Sequence, residues 1–167
     1  NGKILTMADK NYERGSILID NGKIIAVGEE VEAPKDAMVI DAEGKIVMPG
    51  MIDAHCHLGM WEDSLGFEGA DGNEETDPVT PHLRAIDGIN PMDRTFEEAR
   101  EGGITTVCTG PGSANVIGGT FTIIKTYGKR IDDMIVKEPA AMKIAFGENP
   151  KTVYNEKKQM PTTRMAT

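Results

Sequence analysis

The sequence is short of cysteine, of aromatic residues and of positive charge, and it contains no long apolar run. Its two cysteines, Cys56 and Cys108, cannot build a disulfide framework, so reduced thiols in a cytoplasmic protein are the expectation. No stretch approaches the roughly 20 apolar residues that span a bilayer. The opening Asn1-Gly2-Lys3-Ile4-Leu5 also lacks the build of a signal peptide. Eighteen basic side chains against 27 acidic ones leave a net charge of −9, which sets nucleic acid and anionic membranes aside as partners. What is present, 39% hydrophobic and 27% charged residues over 167 positions, suffices for a globular core. The chain has no initiator methionine, and its last residues, Lys157 to Thr167, bring Pro161 and Thr162 to a helix start with no helix after it. The expectation is a stretch of a longer polypeptide.

Residues 1 to 48 alternate short apolar runs with turns. Ile17 to Asp20 and Lys23 to Gly28 flank Asn21-Gly22, the strongest short-range signal for a β-hairpin. A second pair is predicted at Met38 to Ile40 and Lys45 to Met48, turning through Glu43-Gly44, so this part reads as a small β layer. The character changes at Pro49-Gly50. Met51 to Leu58 reads as a strand with Ile52, Ala54, Cys56 and Leu58 on one face and Asp53, His55 and His57 on the other. Gly59 to Asn90 follows with little periodicity, and a connection of this length is functional or disordered as a rule. A helix is predicted with Asn90 as its N-cap, Pro91 at its first position and Gly102-Gly103 as its stop, feeding a strand at Ile104 to Thr109. Gly110 to Gly119 reads as a flexible loop, and Ala141 to Phe146 as a last strand. Strand and helix in alternation point to parallel α/β architecture.

Imidazoles at i and i+2 of one strand stand roughly 7 Å apart on one face, within reach of a single metal ion. Neutral imidazole suits Zn, Fe, Ni or Mn, and such a site needs further His or carboxylate ligands and an open position for water. On spacing alone, two histidines on a half-exposed strand fit the pattern equally well. Gly110-x-Gly112-x-x-Asn115 falls one glycine short of a dinucleotide fingerprint. His82 and Arg84 are candidate substrate-binding residues of the long loop, Arg84 through a planar fork that grips carboxylates; a solvated or packing role fits either of them too. Asp53 has two readings, as a carboxylate orienting a ligand histidine or as a hydrogen-bonded residue of the interior. Cys56 points away from the histidines and belongs to the core.

The run Pro49-Gly50-Met51-Ile52-Asp53-Ala54-His55-Cys56-His57-Leu58 resembles the signature that opens the catalytic barrel of the amidohydrolase superfamily, and Gly102-Gly103-Ile104-Thr105-Thr106-Val107 resembles the start of its second barrel strand. The likeness is nearest to imidazolonepropionase-like and related amidohydrolases. It implies an α/β fold: a partial (β/α)8 TIM barrel, three or so units over 49–167, preceded by part of a small β-sandwich over 1–48. A full barrel takes about 250 residues, so this span falls well short of eight units. It also implies a metal-dependent hydrolase of carbon–nitrogen bonds, with one or two divalent ions, zinc foremost, and a small-molecule substrate. His55 and His57 would be metal ligands. Lys143, placed on the face opposite Met142 and Ile144, would be a carboxylated lysine bridging two ions. Two later histidines and an aspartate serving as general base would lie beyond Thr167, so this stretch alone is expected to be inactive. A homo-oligomer or the rest of the barrel is the expected protein partner. The competing reading is a non-catalytic metal-binding or interaction module.

Overall fold

The structure is a computed structural model, describing residues 1–63 and 65–167. It is a mixed α/β protein with two four-stranded sheets, and it divides into two units, Asn1–Pro49 and Gly50–Thr167.

The first unit is built from β1 (Gly2–Ile4), β2 (Tyr12–Asp20), β3 (Lys23–Gly28) and β4 (Ile46–Val47), in the spatial order β3-β2-β1-β4. The Asn21-Gly22 hairpin forms as its residues predict. Both central residues take positive φ, 48° and 72°, which matches the turn to the twist of antiparallel β2 and β3. The second predicted pair does not form. Ile46 and Val47 pair in parallel with Lys3 and Ile4, whereas Met38, Val39 and Ile40 lie outside any strand, each more than three-quarters exposed. The turn at Glu43-Gly44 is present, with positive φ at both, but it delivers the chain to β1 instead of back onto 38–40. Local turn chemistry sets where a chain reverses, and the available sheet edge sets what it pairs with.

The second unit carries β5 (Met51–Cys56), α1 (Arg94–Glu101), β6 (Ile104–Thr109), β7 (Ile117–Lys125), the single turn α2 (Ile131–Met134), β8 (Ile135–Ile144) and α3 (Glu148–Glu156). Its sheet order is β5-β6-β7-β8. β5 and β6 are parallel, joined through α1, the crossover that the alternation predicts. The next connection departs from it. β7 runs antiparallel to β6, and β8 antiparallel to β7, so β8 again points along β5 and β6. The physical reason is length: too few residues separate Thr109 from Ile117 to hold a helical crossover, so the chain reverses.

α1 starts three residues later than its caps suggest. Asp93 is the N-cap, its Oδ1 accepting from the Thr95 amide at 2.9 Å, while Asn90 makes a turn of its own by accepting from the Met92 amide at 2.9 Å. Gly103, at φ 83°, stops the helix as predicted. Phe96 carries the buried face of α1 into a core of Met60, Ala85, Ile89, Val107, Ile124 and Met134, against which Cys56 and Leu58 pack. The described residues between Gly59 and Asn90 are held by two short 3-10 turns, Gly66–Gly69 and Ala85–Asp87, by the Thr80 amide on the Ile117 carbonyl and by the Thr120 amide on the Leu83 carbonyl. No described helix is long and apolar enough to cross a membrane.

Candidate metal centre

Only the carboxyl end of β5 sorts its side chains as alternation predicts: Ile52 and Ala54, expected on the core face, are exposed, Ile52 by 71%, at the open edge of the sheet. Cys56 turns into the core, and burial pushes its thiol pKa up, so it is a poor thiolate ligand. His55 and His57 face the other way, ring centroids 5.4 Å apart and nearly perpendicular at 89°. His57 is the better fixed of the two. Its Nδ1 donates to the Gly110 carbonyl at 2.7 Å, and because a carbonyl can only accept, Nδ1 carries the proton of the neutral ring, whose lone pair is then on Nε2. The Gly110 amide in turn donates to the Cys56 carbonyl at 3.3 Å, so one residue past the end of β6 is tied to the last residue of β5 and to the residue after it. Trp61 packs edge-on to His57 at 5.4 Å, and Phe121 of β7 packs against His55 at 5.2 Å.

Phe121 is the neighbour shared by the predicted ligands. Its ring centre lies 5.2 Å from His55, 6.4 Å from His57 and 5.9 Å from the Lys143 ammonium. Lys143 reaches this position because β8 places it across from Gly119 of β7, where Gly118 leaves room for its stem. The structure therefore gathers His55, His57 and Lys143 around one aromatic ring. Among the described residues no third His, Cys, Asp or Glu joins the two imidazoles in a cluster fit to hold an ion.

The remaining candidates lie elsewhere. Asp53 accepts from the His55 backbone amide at 3.1 Å, and no hydrogen bond from it to either imidazole is found among the described residues. His82 is exposed in the long loop. Arg84 commits its fork to Asp87, with Nε to Oδ2 at 2.9 Å and Nη2 to Oδ1 at 2.6 Å, so a substrate carboxylate would have to displace that partner. Arg84 and Asp87 line a cavity of about 410 Å³ with Asp71, Glu74 and Asn90, and that lining includes neither imidazole nor Lys143.

Residues 110–119, expected as a flexible loop, are mostly buried and densely bonded, and they supply what the sequence reading missed. Asn115 is 2% exposed; its Nδ2 donates to the Glu74 carbonyl at 2.6 Å and to Thr80 Oγ1 at 2.9 Å. The fully buried Tyr154 of α3 donates its hydroxyl to Asn115 Oδ1 at 2.7 Å. These partners lie 35 to 41 positions apart, beyond any local pattern. Burial, with the fields of Asp77, Glu75 and Glu74, pushes the Tyr154 hydroxyl up to about 12. The unfolded chain loses that proton near pH 10 while the folded one keeps it, so this stabilisation is complete below about pH 10 and is lost as pH rises towards 12. Denaturation midpoints should therefore fall across that window, and Tyr154→Phe should show a shallower fall than the parent.

Likeness to known proteins fits this geometry. No family model matches the chain. It is 36% identical over 166 residues to the amidohydrolase tasK of Hapsidospora irregularis, an alignment spanning 90% of this chain and 17% of that protein. It is 45% identical over 58 residues to an adenine deaminase of Shewanella halifaxensis, spanning 35% of this chain and 10% of that one. The crystal structure of an amidohydrolase from Thermotoga maritima MSB8 superimposes with a TM-score of 0.86 at 44% identity, over 99% of this chain and 43% of that one. The chain belongs to the amidohydrolase superfamily. It spans less than half the length of the Thermotoga protein and less than a fifth of tasK.

Proposed function

We propose that His55 and His57 are two ligands of a divalent metal ion, zinc foremost, in a hydrolase that cleaves carbon–nitrogen bonds of a small molecule. The observation that supports this best is the state of His57: Nδ1 is spent on Gly110, so Nε2 is presented as a neutral donor on the same sheet face as His55. Two imidazoles are a donor set that zinc, iron, nickel and manganese accept, and they need completing by further ligands. Lys143 is the candidate for one of them, as a carboxylated lysine. Its half-buried position beside the aromatic ring that both imidazoles touch supports that assignment. Such an ion, when bound, polarises the oxygen of the carbon under attack and lowers the pKa of water. The chain's own contribution is to hold the two rings at a fixed angle and, through Trp61 and Phe121, to keep them beside an apolar wall.

The parallel strands β5 and β6, joined through α1, are read as the opening of a (β/α)8 barrel with the imidazoles at the carboxyl end of its first strand, and residues 1–48 as part of a β-sandwich; the antiparallel β7 is an addition to that pattern. The β5-α1-β6 crossover and the open edge at β5, with Ile52 71% exposed, support that reading. A substrate class of amides, lactams and amidine-like carbons follows from the C–N chemistry named in the relatives. The experiment is hydrolysis of a panel of these compounds by the longest natural polypeptide containing this chain, before and after chelation. Turnover lost on chelation and restored by zinc is the expected result. Turnover indifferent to chelation would overturn the metal role, and hydrolysis of esters alone would overturn the bond class.

A further inference from the structure

Behind His57 stands a clamp with no part in the chemistry above. The acceptor that fixes His57 is the carbonyl of Gly110, the first residue of a buried segment whose other end is held by α3. Tyr154 holds Asn115, and Asn149 of the same helix donates to Ser113 Oγ at 2.5 Å. On the opposite side the Gly112 amide donates to the Gly72 carbonyl at 2.8 Å, and the Ala114 amide to Asn73 Oδ1 at 3.2 Å. The packing leaves no slack. A Cβ on Gly72 would collide with the Trp61 ring, one on Gly112 would come within 2.6 Å of Asn73, and one on Gly110 would enter the Phe121 ring. Trp61 and Phe121 are the two rings that wall the imidazoles.

We propose that Tyr154, acting through Asn115 and the segment from Asn115 back to Gly110, is a positioning residue that selects the tautomer and ring orientation of His57; the consequence for metal binding rests on the ligand role of His57 proposed above. The physical case is continuity. A hydrogen bond fixes a tautomer only if its acceptor is itself immobile, and Gly110 has no side chain with which to anchor its own carbonyl. On the β6 side Gly110 is held by its own amide on the Cys56 carbonyl at 3.3 Å and by Thr109 Oγ1 on the Leu58 carbonyl at 2.8 Å; on the other side the nearest side-chain anchors are Ser113 and Asn115, both gripped by α3. Tyr154 suits the task because its fully buried hydroxyl has Asn115 Oδ1 as its acceptor at 2.7 Å, where no water competes for the bond. Asn115 then uses Oδ1 to accept and Nδ2 to donate twice, so its amide cannot rotate without breaking three bonds.

Tyr154→Phe removes one hydroxyl and no bulk. It should be compared with Arg100→Ala, which removes two hydrogen bonds to the Phe96 and Thr126 carbonyls and has no link to residues 110–119. Long-range 1H–15N correlation spectra of the metal-free chain at about pH 8, above the ordinary imidazole range, report the tautomer of His57 directly. The parent and Arg100→Ala should show a single Nδ1–H form, and Tyr154→Phe a mixture with the Nε2–H form. Titration with Co2+, followed by its visible spectrum, should show about tenfold weaker binding and a shifted spectrum in Tyr154→Phe only, within the 10–100-fold range typical of losing a ligand's outer partner. A single tautomer in Tyr154→Phe, or a tautomer equally disturbed in Arg100→Ala, would overturn the proposal. If the parent itself takes up no Co2+, the ligand reading fails while the tautomer spectra still decide the positioning role. Should Tyr154→Phe fail to fold, Asn149→Ala, on the exposed side of the clamp, should give the same mixing to a smaller degree, and no mixing there would overturn the proposal.

Discussion

Replacing Gly110 with alanine is expected to destabilise the second unit by about 1–3 kcal/mol, the usual cost of an added group in a packed interior, and to release His57 at the same time. The new methyl would enter the ring of Phe121, itself only 5% exposed and wedged against His55, so the ring cannot swing into solvent. The backbone must give instead, and with it the carbonyl on which His57 rests. Gly88→Ala is the matched comparison. Its nearest neighbour would stand at 3.6 Å, an ordinary contact, and its φ of −109° suits any residue, so it should be neutral or slightly stabilising. Urea unfolding of the two variants with the parent measures the difference. Equal midpoints for Gly110→Ala and Gly88→Ala would contradict the packing described around His57.

Phe96→Ala should have the largest effect on stability of any single truncation in α1, about 3–5 kcal/mol. Phe96 is 2% exposed and is the only buried residue of α1, so the attachment of this helix to β6 depends on it. The ring also lies against Gly59, where even a methyl would stand at 2.8 Å, so its removal leaves a void lined by groups that cannot collapse inward without moving the turn after His57. Against a total stability of roughly 5–15 kcal/mol for a domain, that loss leaves a marginal protein. Thermal unfolding followed by circular dichroism gives the number, and a loss below about 1 kcal/mol would show that α1 is held by something other than its apolar face.

The parts of this structure legible in the sequence are those whose cause is local. Asn21-Gly22 announces its hairpin because few other residues accept positive φ twice in succession. His55 and His57 can be placed on one face because strand alternation has a period of two. The start of α1 is ambiguous in the sequence because Asn90 and Asp93 both make capping-type bonds, and only the second is followed by helix. α3 is hard to read from sequence because a proline ordinarily breaks a helix; Pro150 sits in the first turn, where the missing N–H has no intrahelical acceptor to lose. β7 was hidden by Gly118-Gly119, which reads as loop, although the strand merely changes register there and Gly119 takes φ 114°. The clamp of Tyr154, Asn115 and Thr80 had no signal at all, since hydrogen bonds between residues 35 or more apart leave no periodic trace.

The measurement that bears most directly on the central claim is the metal content of the longest natural polypeptide containing this chain and of its His55→Ala, His57→Ala and His82→Ala variants, each dialysed against a defined concentration of Zn2+ and analysed by elemental mass spectrometry. Loss of a ligand should weaken binding by more than the 10–100-fold typical of losing an outer partner. The parent and His82→Ala should therefore retain zinc in fixed proportion to protein, because His82 stands exposed in the long loop, while His55→Ala and His57→Ala should lose it. Zinc retained at the parental level by both His55→Ala and His57→Ala would contradict the account.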